Sequence, residues 1–182
     1  MKKHLMTIVL SLCVVSISIA QKIDQSFFDK FPTLEKDFAD KDLRKLLVEK
    51  KFLGAVDTRV INNAMGVTEK IIPIGKLETS KAFILIYGSI GDIDNDLKTA
   101  LFSVNTIAFF KTNGEIVPAS SRSYILVSGT DFNVKNEAMI EVRDKEFAFT
   151  QKETDLSTLE TKQSTGVYSV RRNYLAFDRY EE

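Results

Sequence analysis

The spacing of apolar residues changes once along this chain, and that change most constrains its fold. Up to about residue 66, apolar residues recur every three or four positions, as they do on one face of a helix. From Thr68 onward the period becomes two, and β-branched and aromatic residues become frequent, which is typical of strands. The sequence therefore predicts a helical segment over residues 21–66 and a β region over residues 67–182, which together form one domain.

Proline and acidic residues divide the helical segment. Pro32 disfavours helical geometry in the residue before it, so we predict a short helix that ends near Pro32 and a second that starts at about Thr33. Asp40 or Asp42 is suited to cap a further helix that reaches Phe52. The segment is therefore expected to contain two or three helices.

The β region contains short runs of strand-forming residues with only short connections between them. Asn113 and Gly114 lie between two such runs and favour a tight hairpin turn. Because no connection is long enough for a crossover helix, successive strands are expected to pair antiparallel. The candidate strands are 69–77, 82–88, 101–111, 115–117, 123–128, 138–143, 146–152, 166–171 and 174–180.

One run, residues 82–87, is apolar without a break. A strand of this kind is covered on both faces, whereas the strands after residue 130 alternate as expected of a sheet with one wet face. The predicted fold class is α+β: an antiparallel β-meander of about seven to nine strands, curled or sandwich-like, with two or three N-terminal helices packed on one face.

The first 20 residues have the layout of a secretory signal peptide. Lys2 and Lys3 precede an apolar core that is too short to span a bilayer, and Ala20 is a small residue suited to cleavage before Gln21. We therefore expect export to the periplasm or the extracellular space and removal of residues 1–20. Lipidation at Cys13 is disfavoured because Leu12 stands where a small residue is needed.

Removal of this leader limits the chemistry of the chain. His4 and Cys13 are its only histidine and cysteine, so the remaining 162 residues have neither imidazole nor thiol, and no disulfide can form within the chain. Without Lys2 and Lys3, 23 basic residues face 25 acidic ones, a net charge of −2. Such a balance argues against nucleic-acid binding, and no cofactor motif is present.

A cluster of acidic residues follows the unbroken apolar strand. Carboxylates at alternate positions can converge on Ca²⁺, so Asp92, Asp94 and Asp96 match the first ligands of an EF-hand-like loop. Leu97 and Ser103, however, occupy positions where that loop needs glycine and glutamate. We favour a solvated turn, with a calcium site as the alternative.

Two kinds of catalysis need no histidine. A glycosidase needs only two carboxylates at a set separation, and the acids available include Asp92, Asp94, Glu137, Glu141 and Glu146. A serine with a lysine as its base is also possible, for example among Ser120, Ser121 and Lys111, although no Gly-x-Ser-x-Gly or Ser-x-x-Lys motif supports it.

Arginine and tyrosine are concentrated near the end of the chain. These residues favour contact surfaces because they combine a large area with directional hydrogen bonds. The alternative is that the charges guard strand edges against aggregation. The predicted partner-binding residues are Arg143, Tyr168, Arg171, Arg172 and Tyr174, with Arg179 and Tyr180 nearby.

Three functional hypotheses follow. The first is an exported, non-enzymatic binding protein whose partner is a protein or glycan of the cell envelope, because the sequence contains no nucleophile motif, cofactor loop or metal cluster. The second is a hydrolase that uses two carboxylates on an envelope polysaccharide. The third is a Ca²⁺-dependent surface module centred on Asp92, Asp94 and Asp96.

Overall fold

The computed structural model describes residues 23–91, 97, 100–113, 115–144 and 146–181, without the side chains of residues 120–124. The predicted leader, residues 1–20, lies outside this range. Within these residues, three helices precede eight strands. They are α1 (Gln25–Phe28), α2 (Asp40–Val48), α3 (Ala55–Met65), β1 (Lys70–Glu78), β2 (Ala82–Ile90), β3 (Phe102–Thr112), β4 (Glu115–Asp131), β5 (Val134–Val142), β6 (Glu146–Asp155), β7 (Thr161–Val170) and β8 (Leu175–Glu181).

The eight strands form one antiparallel sheet in which each strand pairs with its neighbours in the sequence, in the order β1 to β8. The predicted α+β meander with N-terminal helices is therefore confirmed. Two of the predicted strands, 115–117 and 123–128, are parts of the single strand β4. Pro118 is accommodated within β4 because the register of the β3–β4 pairing shifts between Ile107 and Phe109, and an irregularity of this kind tolerates a residue without an N–H.

Strand β2 separates two hydrophobic cores. All nine of its residues are buried, as the unbroken apolar run predicts. We call the face that carries Ile84 and Ile86 the inner face and the face that carries Phe83 and Leu85 the outer face, because these two sets belong to different core clusters. Successive side chains of a strand point to opposite faces, so a strand without polar positions must be covered on both sides.

Helices α1 and α3 cover the outer face. Phe28 of α1 is fully buried and stacks on Phe83, with ring centroids 4.2 Å apart, and its ring edge meets Phe109 at 5.3 Å. Ile61 of α3 belongs to the same cluster. Helix α3 begins after Gly54 and ends at Gly66, whose φ of 64° is the left-handed conformation that glycine adopts readily at a helix end.

Helix α2 lies on the inner face, where Leu43 and Leu47 join the larger core with residues of β1 to β6. Two of the three described helices therefore share one face and the third lies on the other, whereas the sequence predicts all of them on one face. Asp42 near the start of α2 accepts a hydrogen bond from the Ala39 N–H at 3.1 Å.

The predicted helix from Thr33 is wrong, because residues 33–38 form an extended strap. Thr33 makes a parallel bridge to Lys76 of β1, and Phe38 makes an antiparallel bridge to Ile140 of β5. The backbone groups of Phe38 and Ile140 bond to each other in both directions at 2.8 Å. Tertiary pairing with two strands thus satisfies backbone groups that a helix would have paired internally, and it overrides the local apolar spacing.

Candidate functional site

The meander places alternate hairpin turns at opposite ends of the sheet. The β1–β2, β3–β4, β5–β6 and β7–β8 turns lie at one end, and the β2–β3, β4–β5 and β6–β7 connections lie at the other. We call the first the cleft end and the second the tip end. Functional side chains on one turn can therefore form a shared site only with side chains on other turns at the same end.

At the cleft end the first and last hairpin turns meet. The Thr79 hydroxyl, after β1, donates a hydrogen bond to the carbonyl oxygen of Arg172, between β7 and β8, at 2.9 Å. The sheet must curl for strands so far apart in its order to touch. Beside this contact lies a cleft of about 390 Å³, which is lined by Lys81, Phe110, Lys111, Thr112, Arg172 and Asn173.

The residues that line the cleft include three cations and no carboxylate. Lys111 is already paired, since its Nζ lies 2.6 Å from Oε1 of Glu78 and 3.0 Å from the carbonyl oxygen of Thr79. No described carboxylate lies within ion-pair distance of Lys81 or Arg172, both of which are exposed. Among the described residues, therefore, no carboxylate compensates the positive charge of either side chain.

The cleft also offers apolar and neutral polar contacts. Phe110 provides an aromatic surface, and Thr112 and Asn173 provide hydrogen-bonding groups beside the cations. An anionic group joined to an apolar or ring-shaped body would match this set. The guanidinium of Arg172 is suited to carboxylate or phosphate because its paired N–H groups match two oxygens at once.

Three of the predicted partner-binding residues share the β7–β8 turn. Arg171 and Tyr174 are exposed there with Arg172, and the Arg171 N–H bonds to the carbonyl oxygen of Tyr174 at 2.9 Å. The Arg171 guanidinium is paired with Asp178 at 2.6 Å. Only Arg172 of these three lines the cleft.

Arg143 lies in a different place, within an ion-pair network on the outer face of β5 to β8. Its guanidinium contacts Glu181 at 2.7 Å and Glu141 at 2.9 Å, and Arg179 links Glu181 to Glu146. The hydrogen bonds that the guanidinium donates to Glu181 and then to Glu141 raise the pKa of Arg143 above its ordinary value. The charge of Arg143 is thus satisfied within the molecule.

Tyr168 is on the inner face, in an aromatic row that runs from the core to the sheet edge. Its ring lies 5.2 Å from Phe149 and 5.5 Å from Phe177, and Phe177 lies 4.8 Å from Tyr180. Burial is the main cause that raises the pKa of the Tyr168 hydroxyl. The five predicted residues therefore do not form one patch: three share a turn, and Arg143 and Tyr168 lie on opposite faces.

The carboxylates proposed for catalysis are engaged in ion pairs where the structure describes them. Glu137 contacts Lys135 at 3.0 Å and Lys152 at 3.3 Å, and Glu146 contacts Arg179 at 2.9 Å. Hydrogen bonding to Lys135 lowers the pKa of Glu137, and hydrogen bonding to Arg179 lowers that of Glu146. A general acid needs a raised pKa instead, so these pairs are arranged for structure rather than proton donation.

The predicted calcium ligands and the side chains of the predicted catalytic serines lie in parts of the chain that the structure does not describe. Asp92, Asp94 and Asp96 lie outside the described residues, as do the side chains of Ser120 and Ser121. Within the described part of the chain, no three His, Cys, Asp or Glu residues are grouped to hold a metal ion. In the same part, no helix has the length and apolar character needed to cross a membrane.

Sequence reasoning did not assign Lys81, Phe110 or Lys111 to a contact surface. One signal was available: in a meander, the turn that holds Lys81 and the turn that holds Arg172 must lie at the same end of the sheet. The curl that brings these turns together was not readable from the sequence, because it depends on how the strap and the helices pack.

No protein-family model, curated protein or solved structure matches this chain. Its function must therefore be inferred from the chemistry of its own residues.

Proposed function

We propose that this protein is an exported, non-enzymatic binding protein of the cell envelope, and that its cleft holds an anionic group of a protein or glycan partner. The observation that supports this proposal best is the composition of the cleft, in which Lys81 and Arg172 have no described counter-ion and no acid lines the walls. The leader predicted over residues 1–20 supports export.

The charge of the cleft favours binding over hydrolysis. A glycosidase places two carboxylates about 5 to 9 Å apart on either side of the bond that it cleaves. The cleft instead presents two cations that have no counter-ion among the described residues, and the Lys111–Glu78 pair, in which the acid is already neutralised. This arrangement can attract and orient an anion, but its lining residues do not include the two carboxylates that a glycosidase uses as general acid and nucleophile or base.

Each cation should contribute measurably to binding. A hydrogen bond to a charged group is worth about 1.5–3 kcal/mol, and the lower end applies here because both side chains are solvated. Loss of Arg172 should therefore weaken binding by roughly tenfold, since about 1.4 kcal/mol corresponds to one factor of ten. Screening by salt should weaken it further.

The test is calorimetric titration with two probes, an oligogalacturonate and an acidic peptide of glutamate and phenylalanine. The wild-type chain should bind at least one of them at low salt, and the double variant Lys81→Ala, Arg172→Ala should bind roughly a hundredfold more weakly if the two contributions add. Arg59→Ala is a matched control because Arg59 is an exposed cation on α3 that does not line the cleft.

Three results would oppose the proposal. Equal affinity of the double variant and the wild type would remove the cleft from consideration. Release of new reducing ends from oligogalacturonate would favour the carboxylate-dependent hydrolase. A melting temperature that rises with millimolar Ca²⁺ and falls with chelator would favour the Ca²⁺-dependent module, because a ligand of the native state stabilises the fold.

A further inference from the structure

The tip end of the sheet carries an exposed apolar projection. The β4–β5 and β6–β7 turns lie side by side, since the N–H of Leu156 bonds to the carbonyl oxygen of Asn133 at 2.7 Å. Phe132 at the first turn is 95% exposed, and Leu159 and Leu156 at the second are 75% and 46% exposed. We call these three residues the apolar tip. Adjacent exposed apolar side chains of this size mark an interaction surface more often than isolated ones do.

The backbone holds the apolar tip in an unusual conformation. Phe132 and Leu159 have φ values of 48° and 61°, in a left-handed region that bulky residues rarely occupy. The Asp155 carboxylate fixes the second turn by accepting bonds from the N–H groups of Ser157 at 2.8 Å and Thr158 at 3.1 Å. Glycine or asparagine would fit such positions at lower cost, so large apolar residues there indicate a use for the side chains.

The two turns that form the apolar tip carry only negative charge, and the nearest lysines, Lys135 and Lys162, lie just beyond them in β5 and β7. Residues 131–134 and 155–160, which form the two turns, contain the acids Asp131, Asp155 and Glu160 and no lysine, arginine or histidine. No described cation is paired with Asp131 or Glu160. In the described part of the tip end, these two turns therefore present an exposed, apolar and acidic surface.

The cleft at the other end of the same sheet has the complementary properties. It is concave, it contains the aromatic ring of Phe110, and it carries the cations Lys81 and Arg172, which have no described counter-ion. We infer that the apolar tip of one copy docks in the cleft of a second copy, with Asp131 and Glu160 facing Lys81 and Arg172. This inference rests on the proposed function, because it names a second copy of the chain as a partner of the same cleft.

This docking would produce an open assembly. The two surfaces lie at opposite ends of the sheet, so the contact is head-to-tail and leaves one cleft and one tip free after each addition. Heterologous contacts of this kind generate chains unless the rotation between copies closes a ring. We therefore expect oligomers that grow with concentration rather than a dimer of fixed size.

The acidic residues also argue against a lipid bilayer as the binding partner of the apolar tip. Insertion of Phe132 and Leu159 into a bilayer would bring Asp131 and Glu160 to its interface, where carboxylates lose hydration and are repelled by anionic lipids. A basic cleft compensates those charges, whereas a membrane does not.

Sedimentation velocity of the chain without its leader, from about 1 to 300 μM at low salt, tests the inference. The weight-average sedimentation coefficient should rise with concentration, and high salt should reduce the rise. Phe132→Ser with Leu159→Ser should weaken self-association at least tenfold, and so should Lys81→Glu with Arg172→Glu. Val56→Ser is the control, since Val56 is an exposed apolar residue on α3.

Mixing the two double variants gives the sharpest readout. The tip variant keeps an intact cleft and the cleft variant keeps an intact tip, so the mixture should form one-to-one heterodimers and no longer chains. Circular dichroism and melting temperature establish that both variants are folded. If a variant does not fold, the concentration series of the wild type still decides the question.

A wild-type protein that stays monomeric over the whole concentration range would overturn the inference. So would a tip variant that assembles like the wild type, or flotation of the wild type, but not of the tip variant, with phosphatidylcholine vesicles. A monomer that still binds oligogalacturonate or the acidic peptide through Lys81 and Arg172 would refute self-docking and leave the proposed function intact.

Discussion

Asp40 at the start of α2 ties the helix to the sheet, and its replacement should be among the most damaging polar changes in the chain. Its Oδ1 accepts a hydrogen bond from the Ser128 hydroxyl at 2.6 Å and from the Ala138 N–H at 3.1 Å. Ser128 and Ala138 are almost completely buried. Asp40 also compensates Arg44, whose pKa is lowered mainly by desolvation and raised by Asp40. Asp40→Ala would leave two buried donors without an acceptor.

The expected loss follows from those two donors. An unsatisfied buried donor costs about 1–3 kcal/mol, so Asp40→Ala should lower the free energy of unfolding by about 3 kcal/mol. Asp40→Asn keeps an acceptor oxygen but loses the charge beside Arg44, and it should cost about 1 kcal/mol. Asp37→Ala is the matched control, because Asp37 accepts a single bond, from the Val142 N–H at 2.7 Å, at an exposed position. Its cost should stay below about 1 kcal/mol.

Urea denaturation followed by circular dichroism measures these differences. With a slope of about 2 kcal/mol per molar urea, the midpoint should fall by roughly 1.5 M for Asp40→Ala and by less than about 0.5 M for the control. If Asp40→Ala were no more destabilising than Asp37→Ala, the role of Asp40 as an anchor between α2 and the sheet would be refuted.

Three further variants probe the backbone, the outer core and the surface charges. Gly129→Ala should destabilise by at least about 3 kcal/mol in the same urea assay, because φ is 133° there and a Cβ would lie 2.6 Å from the carbonyl oxygen of Ala100; a loss below about 1 kcal/mol would contradict this. Phe28→Ala should lower the free energy of unfolding by about 3–5 kcal/mol in the same assay, because removal of this fully buried ring leaves a cavity. A near-neutral result would mean that α1 does not pack on the sheet. Hydrogen bonding to Arg179 holds the pKa of Glu146 below its usual value near 4.5, so its stabilising contribution is present above that value and is lost as pH falls through the lower folded pKa. Thermal melts between about pH 3 and 6 should therefore show a shallower acid-side decline for Glu146→Gln than for the wild type, and identical profiles would count against the pair.

Much of the fold could be predicted because its signals are local. The unbroken apolar run at 82–87 predicted a strand covered on both faces, and β2 is buried throughout. Short connections predicted antiparallel neighbours, and all seven strand pairs have this form. The strap from Thr33 was mistaken for a helix because its pairing partners, Lys76 and Ile140, are distant in sequence.

The candidate site was harder to predict because it depends on long-range geometry. Arg172 was identified from its sequence neighbours, but Lys81 belongs to the site only because the sheet curls until Thr79 reaches Arg172. Composition groups Arg143 with Tyr168, yet Arg143 pairs with Glu141 and Glu181, whereas Tyr168 packs against Phe149 of the inner core. Composition gives the residue types of a surface, and only register and curvature decide which of them meet.

The nearest-neighbour order of the strands has a consequence for how the chain acquires its structure. Each ladder can close as soon as the following strand is available, so the sheet can grow in one direction, from β1 toward β8, at the modest entropic cost of short loops. The strap is the exception, because Phe38 must wait for Ile140. A chain that emerges from its N-terminus could thus assemble hairpin by hairpin, and its strap could pair with the sheet once β5 has formed.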